Sequence, residues 1–373
     1  MAIANFGLNT LEHLATLPPD WPGGFWWHWL VFTVIIIAFV LALVMGFIWI
    51  ERRGMARMQA RLGPNRAGPF GLLQPVADAI KVLLKEDIIP ARGDKIVHWL
   101  APVVVFVPAL MIFAVVPFQN GALLADLNIG ILYVVAISSV ATLGVFMAGW
   151  GSNNKYSLLG AMRNVAAVVS YEVPLVLSIV GVVMIAGSLS MNQIVLAQNI
   201  PFILLQPLGF LIFFIGGCAE INRSPFDLFE ADSEIVAGFH TEYSGMKFAM
   251  FYLAEYAEAL AISAIITTLF LGGWRGPLLA PWLWFVIKTI AVFFVMIWTR
   301  TTLPRIRIDQ LMALAWKFLF PLALINLFIT AIEVLAWPEA LPWTMILVNI
   351  AIMAVLVLLW SKFFKLGWGR VAV

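Results

Sequence analysis

Cysteine is almost absent from this sequence: Cys218 is the only one in 373 residues, and there are four histidines. One thiol cannot form an internal disulfide or hold an iron–sulfur cluster. No spacing of cysteine and histidine fits a zinc site or a c-type haem. We therefore expect that the chain binds no metal and no cofactor of its own, and that it contains no catalytic residue that turns over substrate alone.

Charged residues are also scarce. They make up 11% of the chain, against 63% hydrophobic residues and a mean hydropathy of +0.99. This composition predicts an all-α polytopic membrane protein, with residues 1–373 forming a single membrane domain. The net charge of +2 comes with basic residues placed in loops, so no nucleic-acid partner is expected.

The first thirty residues contain no lysine or arginine. A cleavable signal peptide begins with a positively charged region, so this segment is not predicted to be one. Proline and tryptophan are frequent before residue 29, as in segments that lie at the membrane surface. We interpret residues 1–28 as an interfacial N-terminal segment.

Nine apolar stretches approach or exceed the roughly 20 residues that a helix needs to cross a bilayer. They are residues 29–50, 98–118, 131–149, 162–187, 202–221, 248–272, 282–299, 311–337 and 343–361. If the spans alternate, nineteen of the twenty-two basic residues fall on one side of the membrane. The positive-inside rule makes that side the cytoplasm, with the N-terminus outside and the C-terminus inside.

The first cytoplasmic loop, residues 51–97, is basic and contains a helical pattern. Leu72, Val76 and Ile80 fall on one face, and Pro75 suits the first turn of a helix. We predict an amphipathic helix lying in the membrane plane. The basic residues fit a stop-transfer cluster facing anionic headgroups, while Arg52 and Arg61 also fit the polar mouth of a ligand site.

Acidic residues are concentrated in one part of the chain. Eight of the twenty lie between Glu220 and Glu258. Carboxylates at or inside a bilayer are costly, and they usually mark sites for ions or protons. The cytoplasmic loop at residues 222–247 alternates acids with aromatics such as Phe226 and Phe239, which suits an apolar, ring-bearing ligand. His240, a lone histidine, is interpreted as structural.

Several ionisable side chains fall inside predicted spans. Glu172 lies two residues before Pro174, and Glu255 and Glu258 are three residues apart on one helix. Buried carboxylates this close are expected to share protons, and intramembrane lysines at positions 288 and 317 could extend a proton route. The alternatives are a structural hydrogen bond for Glu172 and pairing of one of the two neighbouring glutamates with one of those lysines.

Four segments together resemble one known family. They are Glu51-Arg52 followed by QARLGPN at 59–65, GLLQPVADA at 71–79, NRSPFDL at 222–228, and LPRIRIDQL at 303–311. They are similar to signature blocks of the membrane-arm H subunit of bacterial NADH:quinone oxidoreductase, respiratory complex I. The resemblance runs from about residue 29 to beyond residue 317.

That resemblance implies a bacterial inner-membrane protein, with a periplasmic N-terminus, that helps form a quinone-binding chamber. Quinone would be the substrate of the complex, and the partners would be other membrane-arm and peripheral-arm subunits and membrane lipids. The expected quinone-side residues are Arg52, Arg61, Asp78, Phe226, Glu230, Asp232, Glu234 and Phe239. A path coupling quinone reduction to proton translocation is expected to contain Glu172, Glu220, Glu255 and Glu258, with Lys288 and Lys317 as the possible extension from their intramembrane positions.

The sequence departs from the family at three positions. Asp232 stands where the family usually has Glu, Phe229 where Pro is frequent, and Ile308 where Tyr is common. Two other functions remain open: a related membrane component of an energy-converting hydrogenase, which would have no quinone chamber, and a stand-alone proton- or cation-coupled transporter. A transporter would function alone, whereas a component of a complex would co-purify with many partners.

Overall fold

The computed structural model describes residues 26–120, 123–227, 235–337 and 345–363. Within these ranges the regular structure consists of helices, and no strand is present. The all-α prediction is therefore confirmed. The predicted N-terminal interfacial segment, apart from its last three residues, lies outside the described residues.

Twelve α-helices are described, in chain order. They are α1 Trp26–Met58, α2 Gln74–Leu83, α3 Lys95–Met111, α4 Gly130–Gly151, α5 Lys155–Ala186, α6 Met191–Ala197, α7 Phe202–Leu205, α8 Pro207–Glu220, α9 Gly245–Phe270, α10 Pro281–Thr302, α11 Ile308–Ala336 and α12 Met345–Phe363. Helix α11 contains a wider π-helical turn at Leu314–Leu319, and a 3₁₀ turn at Gly238–His240 precedes α9.

Six of the described helices are long and apolar enough to cross a membrane: α3 with its extension to Ala114, α4, α5, α9, α10 and α11. Helices α8 and α12 are shorter and also apolar. The chain is thus a polytopic membrane protein, as predicted. The predicted spans at 162–187 and 311–337, which contain charged residues, both lie within long helices.

The predicted span at 202–221 is not one unbroken helix. Helix α7 ends at Leu205 and α8 begins at Pro207, with Gln206 between them at φ −128° and ψ 61°. Proline has no backbone N–H and disfavours helical geometry in the residue before it, which accounts for the break at this point. The Gln206 side chain at the break is buried.

The first helix extends past the start of the predicted first cytoplasmic loop, at residue 51. Helix α1 continues through residue 51 to Met58, so the first basic residues of the predicted loop lie on a helix. The amphipathic helix is confirmed as α2, with Pro75 in its first turn. Its apolar side chains Val76, Ile80 and Leu83 are exposed, as required of a helix lying on a membrane, although that position stays a prediction.

By its internal contacts the chain divides after Ala42 into two units. The described part of the first unit is the helical segment 26–42. The second unit starts at Leu43, and every contact discussed below lies within it. Its central helix is α9, about two thirds of which is buried in its most apolar part. Helices α3, α10 and α8 pack around α9, while α5 contacts α4, α8 and α11.

Small residues and caps fix this packing. Gly149 of α4 faces Ala161 of α5 so closely that no additional side-chain carbon would fit between the two helices. Such small-residue contacts allow membrane helices to approach closely. The carboxylate of Asp94 accepts hydrogen bonds from the backbone N–H groups of Ile96 at 3.0 Å and Val97 at 3.3 Å, and so caps α3.

Candidate functional site: a buried ion-pair cluster beside an acid-lined cavity

A fully buried carboxylate joins three distant parts of the chain. Glu51 lies near the end of α1 and is 0% exposed. Its two oxygens accept hydrogen bonds from the guanidinium groups of Arg223, which follows α8, and Arg300, in the last turn of α10. A buried carboxylate needs such partners because losing water around a charge is costly. The cluster therefore fixes the ends of α1, α8 and α10 against one another.

Arg223 extends the cluster to α9. Its Nε lies 3.3 Å from Oε1 of Glu255, and its guanidinium carbon lies 4.5 Å from the ring centre of Tyr256. Burial alone would lower the pKa of Arg223, but the carboxylates of Glu51 and Glu255 more than offset this and raise it above its ordinary value. Arg223 is therefore a permanent positive charge beside a carboxylate of α9.

A second ion pair links the loop after α8 to the segment before α11. Nη2 of Arg305 lies 3.0 Å from Oδ2 of Asp227. The backbone N–H of Ile306 donates to the carbonyl of Pro225 at 3.2 Å. Together with the Glu51 cluster, these contacts bring together three of the four segments that carry the family resemblance, although they lie up to about 250 residues apart in the chain.

A cavity opens beside these ion pairs. Its empty volume, including the part open to solvent, is about 1170 Å³. Most of its wall is apolar, from α3, α4, α5, α8 and α9, and includes Phe239. Its ionisable lining residues are Glu220, Asp227, His240, Glu255, Glu258 and Arg300. Carboxylates that the sequence places in three separate segments thus face one space.

Glu172 adjoins this cavity through α4. The hydroxyl of Ser139 donates to Oε1 of Glu172. The neighbouring Ser138 lines the cavity and hydrogen-bonds the Glu220 side chain. Glu172 and Glu220 are close enough to interact electrostatically, and so are Glu220 and Glu258. Three of the four predicted path glutamates therefore line the cavity, and Glu172 lies beside it, hydrogen-bonded to Ser139.

The predicted quinone-side residues are distributed over two environments. Arg52 is paired with Asp78 of α2, which also accepts a 3.0 Å hydrogen bond from Gln74, and this pair is partly exposed. Arg61 is exposed, and its Nε donates to the Gln59 side chain at 2.8 Å. These contacts place a polar, solvent-accessible surface at the C-terminal end of α1.

The two predicted aromatics are buried instead. The Phe226 ring lies 5.5 Å from that of Tyr171, whose hydroxyl donates to the Leu311 carbonyl at 2.9 Å. Phe239 lines the cavity and packs against Phe251. The predicted residues Glu230, Asp232 and Glu234, and the departure at Phe229, lie outside the described residues.

The structure does not bring the two predicted lysines to the glutamates. Nζ of Lys288 donates to the backbone carbonyls of Leu271, Gly273 and Arg275 at 2.6–3.0 Å, where it satisfies the end of α9. That end is more than a dozen residues from Glu258, about 20 Å along a helix. Lys317 is exposed in the π-helical turn of α11. Neither lysine pairs with Glu255 or Glu258 in the described structure.

Sequence reasoning missed the centre of the site. Glu51, Arg223 and Arg300 were not predicted as site residues, although Glu51 and Arg223 lie within the resembling segments. The available signal was charge position: an acid and a base at the ends of apolar helices need partners. A second polar cluster, around Glu333, was also missed.

His240 gives a prediction about pH. Its imidazole is surrounded by aromatic rings, with the Phe239 ring centre 3.9 Å away, and burial lowers its pKa to about 3 from an ordinary 6.5. The unfolded chain therefore takes up a proton below pH 6.5 that the folded chain does not accept until about pH 3. We expect stability to fall as the pH decreases through this window.

The measurement is the thermal unfolding midpoint at pH values from neutral downwards, compared with His240→Phe. The variant should lose stability less steeply between pH 6.5 and pH 3, because phenylalanine has no proton to take up. Parallel curves for both proteins would contradict this assignment. The same curve for His98→Phe, which replaces a second buried histidine stacked on Tyr243, provides a comparison with another imidazole.

Comparison with known proteins decides the family. Residues 31–331 match the family model described as NADH dehydrogenase. The chain belongs to this family. It is 65% identical over 349 residues to the H subunit of NADH-quinone oxidoreductase from Dehalococcoides mccartyi (strain ATCC BAA-2266 / KCTC 15142 / 195), covering 94% of this chain and 99% of that relative.

More distant relatives carry the same name. The relative from Geobacillus kaustophilus is 52% identical over 309 residues, which is 81% of this chain and 92% of the relative. The relative from Bacillus thuringiensis (strain Al Hakam) is 49% identical over 328 residues, which is 86% of this chain and 98% of the relative. The resemblance seen in the sequence and the expected class, a component of an oxidoreductase complex, are confirmed. Both family membership and these names favour this class over a stand-alone transporter.

Proposed function

We propose that this chain is the membrane component of a proton-translocating NADH:quinone oxidoreductase that joins a quinone-binding chamber to a carboxylate path. The observation that carries the proposal is that Glu220, Asp227, Glu255, Glu258 and Arg300 line one cavity. A cavity with apolar walls and several facing carboxylates can admit water and hold protons that a bulk apolar core would exclude.

The order of contacts supports a path rather than four separate sites. Asp227 lies in the loop after α8, Glu255 and Glu258 face the cavity from α9, and Glu220 faces it from α8. Ser138 and Ser139 then connect Glu220 with Glu172 on α5. Protons shared by adjacent carboxylates redistribute when the charge beside them changes.

Reduction of quinone supplies such a charge change. Reduction adds electrons to the quinone head and creates a demand for protons near the cytoplasmic loops. The loop acids Glu230, Asp232 and Glu234 are proposed to sense it first, and Asp227 would connect them to the cavity. Phe226 and Phe239 contribute apolar surface, while Arg52, Arg61 and Asp78 form the polar entrance. The proposal gives Lys288 a structural role, since its three carbonyl partners occupy it.

Arg61→Ala tests the quinone part of the proposal. Arg61 is exposed, so its loss should leave the fold intact. We expect quinone reductase activity of the complete complex to fall, on the order of tenfold as for the loss of a charged contact, while NADH oxidation by an artificial acceptor is retained. Arg66→Ala, an exposed arginine five residues further on, is the matched control. Equal loss of both activities, or no loss of either, would contradict a role at the quinone entrance.

The proposed setting is a bacterial inner membrane, with other membrane-arm and peripheral-arm subunits and lipids as partners. The proposed orientation has a periplasmic N-terminus and a cytoplasmic C-terminus, because nineteen of the twenty-two basic residues, including those of the C-terminal tail, would then be cytoplasmic. A reporter that works only in the cytoplasm should be active when it is fused after Arg370. If a reporter that works only in the periplasm were active at this position, the proposed orientation would be contradicted.

A further inference from the structure

A second buried polar cluster lies at the helix break between α7 and α8. Gln206 occupies the break, Asn326, Thr330 and Glu333 come from α11, and Asn349 comes from α12. All five line a small cavity of their own. Gln206 and Glu220 lie at opposite ends of α8, about 20 Å apart along the helix, so this cluster is separate from the acid-lined cavity.

Hydrogen bonds fix the orientation of the Gln206 amide. The Thr330 hydroxyl donates its proton to the Asn326 carbonyl at 2.9 Å. It can therefore only accept from Gln206, whose Nε2 lies 2.7 Å away. The amide oxygen of Gln206 must point elsewhere, and it has no hydrogen-bond partner among the described residues although the side chain is 2% exposed.

The Asn349 amide is fixed in the same way. Its Nδ2 donates to the Leu205 carbonyl at 2.7 Å and lies 3.4 Å from Oε2 of Glu333. A carbonyl can only accept, so the nitrogen must occupy this position. The amide oxygen of Asn349 is consequently without a partner in the described structure, and the side chain is 7% exposed.

The cluster therefore has an excess of acceptors. Two buried amide oxygens without donors lie beside one buried carboxylate, and the Leu205 carbonyl at the end of α7 adds a further oxygen. Buried oxygens without donors are unfavourable unless a proton, a cation or water satisfies them. Broken membrane helices are known to place such backbone carbonyls and side-chain oxygens around small cations.

We propose that Glu333, Gln206 and Asn349 form a binding site for one dehydrated monovalent cation, either Na⁺ or a proton. The single carboxylate neutralises one positive charge, and the remaining ligands are neutral hard oxygens that suit Na⁺. No group of three or more His, Cys, Asp or Glu residues that could hold a metal ion occurs in the described ranges, which does not favour a divalent ion here. The site thus adds a cation-binding role that is independent of the carboxylate path.

The first test is equilibrium binding of ²²Na⁺ to the complete purified complex at several pH values. Glu333→Gln should raise the Kd of one Na⁺ site about tenfold or more, because it removes the only charged ligand. Glu86→Gln makes the same chemical change at an exposed position before α3 and should leave that site unchanged. Asn349→Leu should also raise the Kd of this Na⁺ site. Because this change removes an amide oxygen but no charge, it shows that the neutral ligands contribute to binding.

The second test detects the proton. Infrared difference spectra between high and low pH should contain a protonated carboxyl band that is absent from Glu333→Gln and present in Glu86→Gln. A Glu333-dependent Na⁺ site identifies sodium as the occupant, and a Glu333-dependent carboxyl band without Na⁺ binding identifies the proton. If Glu333→Gln changes neither measurement, the cluster holds only neutral water and the proposal is overturned.

Discussion

Replacing Glu51 with glutamine should severely destabilise the protein. The change keeps the size of the side chain but leaves Arg223 and Arg300 without the carboxylate that both contact. Removing one partner from a buried ion cluster typically costs about 3–5 kcal/mol, and here two arginines would be left beside Glu255 without the carboxylate that neutralises them. We expect little of the variant to be found in assembled complex, and a lower thermal unfolding midpoint for what remains.

Asp78→Asn is the matched control for that experiment. It also removes a carboxylate from an arginine, Arg52, but this pair is partly exposed, with side chains 42% and 36% accessible. Exposed pairs contribute about 0–1 kcal/mol, so assembly should be close to that of the unmodified protein. If both variants assembled equally well, burial of Glu51 would not be what makes its cluster essential.

Glu255→Gln should depress the quinone-linked, proton-pumping activity of the assembled complex. Glu255 contacts Arg223 and faces the cavity, and glutamine of similar volume can keep a hydrogen bond but cannot carry a proton. We expect an assembled complex whose quinone-linked, proton-pumping activity falls on the order of tenfold or more, as for loss of a proton-transfer group. Glu172→Gln should act in the same direction, because Glu172 adjoins the same set.

The measurement is NADH:quinone turnover and formation of membrane potential in the same preparations. Glu86→Gln, at an exposed position before α3, controls for the loss of an acid as such. NADH oxidation by an artificial acceptor reports whether the complex is intact. Turnover and pumping equal to the unmodified complex in both path variants would remove these residues from the proton path and leave them structural roles.

The membrane helices could be predicted because apolar length is a local property of the sequence. The predicted spans at 162–187 and 311–337 form helices although each contains two charged residues, since two charges do not outweigh about twenty apolar residues. The break at Gln206 has a local cause, Pro207, but hydropathy averages over it. An amphipathic pattern and a proline in the first turn were likewise sufficient for α2.

Partners of the ionisable side chains could not be predicted from the sequence, because they are set by packing. The lysine at 288 resembles an intramembrane charge on a proton route, but its Nζ satisfies three backbone carbonyls after α9. Glu333 has no acid or polar motif beside it in the sequence, and its neighbours Gln206 and Asn349 come from other helices. The glutamates proposed for the proton path were predicted from their positions and from the resemblance, whereas the contacts of Glu51 with Arg223 and Arg300 are seen only in the structure.

The position of Glu51 also determines a delay during synthesis. Arg223 is 172 residues and Arg300 is 249 residues after it, so neither exists when α1 leaves the ribosome. At roughly 5–20 residues per second, the second arginine emerges about 12–50 s after the carboxylate. During that interval Glu51 is best accommodated at the headgroup level, where water solvates it, at the very end of the apolar part of α1. Insertion of α10 then completes the pairing, so correct placement of the first helix depends on one of the last to be made.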